Sequence, residues 1–242
     1  MCGRFAMTLP PEAARRYFGY VDEPNFPPRY NISPREPIAL VSARDGSHGR
    51  ERRFKLAQWG FLPGFVKDPA TFRPIINARI EGIVAKPSFR AAMRRRRRLI
   101  VADGFYEWRT AAADRGGLEK FPYLVRRITG EPMGLAGLEE TWIDPFGSEV
   151  DTACIITTPA NALARRLHDR MPAIIEPEQF SAWLDNDGVS AKEAAGLLKP
   201  AREDLFELVP LGRAVNRAAN DGPDLQTPIG PPIRTPDRSH AP

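Results

Sequence analysis

Along the 242-residue chain, short apolar or alternating runs recur with turn residues between them, and long helical periodicity is scarce. Residues 38–44 and 51–59 read as two strands flanking Asp45-Gly46, a dipeptide that favours a hairpin turn. Residues 99–108 read as one buried strand ending in a polar and aromatic cluster. Residues 121–127 and 133–142 read as a second strand pair around Thr129-Gly130. Residues 153–157 form a further apolar strand and residues 205–211 the last. Helical signals are shorter. Pro10-Pro11-Glu12 opens an amphipathic helix, since proline is tolerated in a first turn. Other helices are expected near 88–96, from 159 to about 167, and near 177–184 and 190–198. Segments 24–37 and 110–119 read as irregular. From Gly222 onward 6 of 21 residues are proline, so residues 222–242 are expected to form a disordered tail. With no internal repeat and no linker, the chain reads as one α+β domain over residues 1–221. Its core is a largely antiparallel, barrel-like β structure with peripheral helices.

Composition narrows the class. Hydrophobic residues at 42% and charged residues at 27% fit a globular protein and exclude wholesale disorder. No apolar run approaches the ~20 residues that span a bilayer. Met1-Cys2-Gly3-Arg4-Phe5 lacks the basic-then-apolar pattern of a signal peptide, so a cytoplasmic location and no membrane partner are expected. Two cysteines, Cys2 and Cys154, cannot build a disulfide framework, and three histidines, at 48, 168 and 240, do not supply a multi-histidine metal centre. No metal and no cofactor is expected.

The net charge is +5, carried by 29 arginines and only 6 lysines. Guanidinium grips phosphate bidentately, which suits a nucleic-acid partner, and an arginine-favouring codon usage explains the bias equally well. The five arginines at 94–98 follow a helix and precede Leu99-Ile100-Val101. Cations suit a helix C-terminus, so this run is expected to be a solvated helix end.

Position 2 carries the most chemical information. Removal of Met1 leaves a thiol and a free α-amine on one residue. The amine titrates near 8, against about 10.4 for lysine, so an unprotonated fraction exists at neutral pH. Amines condense with carbonyls to imines, and a 1,2-aminothiol then closes a five-membered thiazolidine on the same carbon. The natural electrophile is an aldehyde; the alternative is a small, buried, inert cysteine. Cys154, within Ala153-Cys154-Ile155-Ile156, reads as core packing. In Ile76-Asn77-Ala78-Arg79-Ile80-Glu81, an amide and a guanidinium two residues apart share one face of an extended segment. Glu107 lies between aromatics in Asp103-Gly104-Phe105-Tyr106-Glu107-Trp108, where apolar neighbours raise a carboxyl's pKa and suit it to proton transfer. Pairing with an arginine is the structural alternative. His168 lies in Leu167-His168-Asp169-Arg170-Met171-Pro172, where a helix is expected to end before the proline; structural and catalytic roles both remain open for it.

These segments occur in a fixed order together with Tyr30-Asn31-Ile32-Ser33-Pro34, Trp59-Gly60, Thr157-Thr158-Pro159-Ala160-Asn161 and Val215-Asn216. The ordered set, from residue 2 to about 222, resembles the SOS response-associated peptidase family. That resemblance implies covalent crosslinking to abasic sites in single-stranded DNA, also at single-strand/duplex junctions; a monomer is the default expectation. It further implies Cys2 as nucleophile and Asn77, Glu107 and His168 as the other active-site residues. Self-cleavage of Met1 by Cys2 and Glu107 is implied as the origin of the peptidase label, with ordinary aminopeptidase processing leading to the same end product. Implied DNA contacts are Arg4, Asn31, Arg79, Trp108 and Arg170, through phosphate clamps and stacking. One departure stands out: relatives often carry two aromatics after the Pro-Gly that is here Pro63-Gly64, whereas this chain has Phe65-Val66. Two rival readings remain. One is an N-terminal-cysteine amidohydrolase or glutamine amidotransferase, in which the thiol attacks an amide. The other is a non-catalytic single-strand-binding module, marked by salt-sensitive binding without dependence on an aldehyde.

Overall fold

The computed structural model describes residues 2–46, 49–112, 117–144 and 146–235. Its strands, in chain order, are β1 (Arg4–Met7), β2 (Arg29–Ile32), β3 (Pro37–Gly46), β4 (Gly49–Trp59), β5 (Asn77–Arg79), β6 (Arg97–Ala102) and β7 (Gly104–Ala112), then β8 (Leu118–Arg127), β9 (Met133–Ile143), β10 (Glu149–Pro159), β11 (Arg170–Pro172), β12 (Ile174–Ile175), β13 (Phe206–Pro210) and β14 (Ile233–Arg234). The helices are short: α1 (Pro11–Phe18), α2 (Arg90–Arg95), α3 (Phe180–Leu184) and α4 (Ala191–Ala195). The architecture is α+β and strand-rich.

Five strands close a barrel in the order β3, β4, β10, β9, β6 and back to β3. All these pairings are antiparallel except β4 with β10. Closure removes the free edges that an open sheet would expose, and Leu40, Ile100 and Ile155, all fully buried, share one face of it. A second, antiparallel sheet runs β14-β13-β8-β7-β1-β2. The 38–44 and 51–59 strands form the expected hairpin, β3 with β4; residues 47 and 48, His48 included, lie outside the described residues. α1 starts at its proline and stops at Gly19, whose φ of +69° is the left-handed conformation that ends a helix cheaply only at glycine.

Several local expectations are corrected. The apolar run at 99–108 is two strands in two different sheets. Asp103 breaks it, because its carboxylate accepts hydrogen bonds from the Thr8 amide, the Thr8 hydroxyl at 2.7 Å and the Leu9 amide at 3.2 Å. The chain therefore crosses from barrel to second sheet at a residue tied to the end of β1. Asp103→Ala orphans two backbone donors and is expected to cost about 2 kcal/mol; a urea midpoint unchanged from wild type would remove this role. β8 and β9 likewise belong to different sheets and do not pair as a hairpin. Segment 24–37 contains β2, and 110–119 holds the ends of β7 and β8. The helix expected at 159–167 is only a 3₁₀ turn at Ala164–Arg166, because β10 runs on to Pro159 and Asn161 then caps the turn through the Ala164 amide. The tail is packed as far as Thr235: Leu225 is buried and β14 pairs with β13.

The arginine run is also corrected. Arg97 is fully buried, and its guanidinium donates to the backbone oxygens of Met93, Trp183, Asp185 and Val189. Burial lowers its pKa to about 10. Arg98 is paired with the buried Glu139. The pattern that looked like a solvated helix end is in part an internal clamp holding the segment around α3 against the barrel.

Candidate active site

β10 is the element on which the site is assembled. Its C-terminal half pairs in parallel with β5, setting Ile155 beside Asn77, and antiparallel with β11, setting Pro159 beside Arg170. Asn77 and His168 are thereby carried to one region of the barrel. Trp59 and Gly60 hold β5 in place. The Trp59 indole donates to the Ile76 oxygen at 2.9 Å, and Gly60 donates to Ala153 at 2.8 Å. Gly60 has φ +148°, and a Cβ there would meet Pro74 at 2.9 Å, so the Trp-Gly pair is a packing requirement of the strand that bears Asn77.

The second sheet brings the other half. β1 and β7 pair with Arg4 opposite Tyr106 and Phe5 opposite Phe105. Glu107 follows Tyr106 in β7 and Cys2 lies just ahead of Arg4, so the register brings the two close enough for the Glu107 charge to act on the Cys2 thiol. The two halves meet at Cys2, whose carbonyl accepts a 2.8 Å hydrogen bond from the Asn77 side-chain amide. Asn77 Oδ1 is buried with no hydrogen-bond partner among the described residues, leaving an acceptor for a donor that arrives at the site.

The electrostatics follow from burial. Cys2 is fully buried, and desolvation, reinforced by the Glu107 charge, pushes its thiol well above the ordinary range. Its Sγ donates weakly to the Arg4 oxygen at 3.4 Å. Glu107 is 5% exposed, and desolvation raises its pKa against the opposing pull of His168. His168 Nδ1 accepts from the Arg170 amide at 3.0 Å and lies 2.6 Å from Asp169 Oδ1. One ring nitrogen cannot accept from the amide and donate to the carboxylate at once: the first contact needs a bare Nδ1 and the second an Nδ1–H. Cys2, Asn77, Glu107 and His168 thus form one cluster, whereas Cys154 is buried in the barrel away from it, in β10 opposite Leu138. Among the described residues no three His, Cys, Asp or Glu side chains converge as a metal-ligand set.

The five DNA-contact candidates divide. Arg79 is exposed and Trp108 half-buried. Arg4 is committed to Asn31 Oδ1 at 2.8 Å and the Val215 oxygen at 3.1 Å. Asn31, 1% exposed, donates to the oxygens of Val215, Arg217 and Asn220. Arg170 forks onto Glu81 at 2.8 and 3.1 Å and donates to Thr157. These three hold the walls of the site in place. Phe65 is exposed, while Val66 is turned inward against Trp142. Glu81 and Thr157, as the anchors of Arg170, had no role legible from their residue types alone.

Fold and cluster together define a closed β-barrel protein with a buried thiol and carboxyl and a partly exposed amide and imidazole gathered around its Cys2. The chain belongs to the SOS response associated peptidase (SRAP) family, whose model matches residues 1–218. It is 33% identical over 228 residues to the abasic site processing protein YoqW of Bacillus subtilis, covering 93% of this chain and 98% of that one. It is 31% identical over 243 residues to the abasic site processing protein YedK of Escherichia coli, covering 95% and 100%. Among solved structures, a Bacteroides thetaiotaomicron protein superposes with a TM-score of 0.81 at 25% identity, over 94% of this chain and 99% of that one.

Proposed function

We propose that this protein processes abasic sites by capturing their ring-opened aldehyde in single-stranded DNA through Cys2, once Met1 has been removed. The observation that carries the reading is the placement of Cys2: its carbonyl is held by Asn77, beside a carboxyl whose pKa burial raises. Family membership and relatives named as abasic site processing proteins support the same substrate.

The chemistry balances with one water released. The Cys2 amine adds to C1′ of the deoxyribose to give a carbinolamine. Protonated Glu107 donates to its hydroxyl, which departs as water and leaves a protonated imine (iminium) beside the Glu107 carboxylate. The Cys2 sulfur then adds to the iminium carbon as its proton passes to that carboxylate, which closes the thiazolidine and restores the acid. Because burial keeps the thiol protonated, the amine attacks first and the sulfur second. The same property disfavours amidohydrolysis, which needs a thiolate at the outset. His168 serves the sugar oxygen during ring opening. Asn77 Oδ1 receives the new α-amine. An abasic residue has no base to unstack, which lowers the cost of drawing it into the site. Arg79 and Trp108 supply the outward phosphate and stacking contacts, while Arg4, Asn31 and Arg170 shape the walls that carry them.

The reading is tested by mixing the protein with abasic and intact single-stranded oligonucleotides and resolving them on denaturing gels. A slow-migrating band with the abasic strand alone is expected, and an equal band with intact DNA contradicts the reading. Glu107→Gln is expected to slow the adduct about 10²-fold, the scale of a lost general acid. Unchanged rates would remove Glu107 from proton transfer. A carboxyl held above its usual value favours the folded state fully below the ordinary carboxylate range and loses that contribution as pH climbs through its raised value. Glu107→Gln, neutral throughout, is therefore expected to gain in Tm relative to wild type as pH rises from the ordinary carboxylate range through the raised value. A Tm difference that is flat with pH would contradict the buried-carboxyl account.

A further inference from the structure

The chain has four tryptophans. Three donate their indole N–H to backbone oxygens: Trp59 to Ile76, Trp142 to Val66 and Trp183 to Arg98. Trp108 alone is held by a side chain, with its Nε1 donating to Asn216 Oδ1 at 2.7 Å. Asn216 ends a 3₁₀ turn, Arg213–Asn216, anchored by the fully buried Val215. The same turn is gripped from the opposite direction by Arg4, whose guanidinium reaches the oxygens of Val215 at 3.1 Å and Asn216 at 3.4 Å. Thus a turn more than 200 residues from Cys2 braces both the strand that begins at Arg4 and the one that carries Glu107.

We propose that Asn216 is a positioning residue that fixes the plane of the Trp108 indole and so sets how tightly the abasic strand is held; this rests on the single-strand capture described above. An aromatic ring stacks on a base through its face, and stacking energy is gained only when that face is already aimed at the strand. Without the Oδ1 acceptor, the half-buried ring loses its one polar tether and samples other rotamers before DNA arrives. The hydrogen bonds of Asn216 run to Trp108 and Arg4, so the effect is expected on binding and not on the chemistry at Cys2.

The test follows adduct formation across a range of abasic oligonucleotide concentrations in wild type, Asn216→Ala, Trp108→Phe and the double variant, together with indole N–H NMR spectra. Asn216→Ala is expected to raise the half-saturating DNA concentration about tenfold with the saturated rate unchanged. It should move the Trp108 indole signal while leaving the other three in place. In the Trp108→Phe background, which has no indole N–H to accept from, Asn216→Ala should have no further effect. A fall in the saturated rate, an equal loss in both backgrounds or an unmoved Trp108 signal would each overturn the proposal. Absence of any adduct in wild type would instead overturn the capture reading. The Trp108 signal and non-covalent binding to the same oligonucleotide would still show whether Asn216 positions the ring.

Discussion

Cys2→Ser is expected to abolish the denaturation-resistant complex with abasic single-stranded DNA. Serine keeps the α-amine, so an imine still forms and is trapped by borohydride, but no sulfur closes the second ring and the unreduced imine hydrolyses on denaturation. The substitution is nearly isosteric in a fully buried position; burying a hydroxyl there costs about 1 kcal/mol, too little to unfold the chain. Loss of the adduct is thus separable from loss of the fold by comparing thermal melts. A Cys2→Ser protein that crosslinks as stably as wild type would require another nucleophile. Within the described structure the other thiol, Cys154, is buried in the barrel.

The largest stability effect is expected at Arg97. Its guanidinium occupies four backbone oxygens from α2, α3 and the segment after α3, and no exposed surface lets water replace it. Arg97→Met keeps the stem but removes every donor. Each orphaned carbonyl costs on the order of 1 kcal/mol even after partial relaxation, so the total is about 4 kcal/mol. For a chain of this length that lowers Tm by about 10 °C. A drop smaller than about 2 °C would show that the four carbonyls find other partners, and the clamp would not be what holds α3 to the barrel. Exposed Arg94, one turn away in the same run, is expected to tolerate the same substitution with little change.

The contrast between Arg94 and Arg97 shows where sequence reasoning stops. Both are arginines in one run beside a helix, and what separates them is a set of carbonyl oxygens, all but that of Met93 contributed by Trp183, Asp185 and Val189 far along the chain. Apolar periodicity found most strands, because burial on a barrel leaves its mark locally, as in the β3–β4 hairpin. It could not show that residues 99–108 change sheets at Asp103, since the cause is a carboxylate gripping Thr8 and Leu9 nearly a hundred residues earlier. Residues 159–167 have helical composition, yet Asn161 and the continuing β10–β11 pairing claim the backbone first. The candidate site was legible through residue chemistry: a second-position cysteine, a carboxyl among aromatics and a histidine in a polar turn. The structure adds what Arg4, Asn31 and Arg170 do within those segments. They hold backbone, and their charge or amide groups are spent on the protein itself. Val215-Asn216 stood in the ordered motif set without a role until the Trp108 contact supplied one.

The central claim is tested most directly by intact mass measurement of the purified chain before and after mixing with an abasic oligonucleotide. The account predicts a starting mass lacking Met1 and a product equal to that mass plus the oligonucleotide less one water, unchanged after borohydride treatment. A product built on a chain that still carries Met1, or one that gains two hydrogens on reduction, would contradict thiazolidine capture by Cys2.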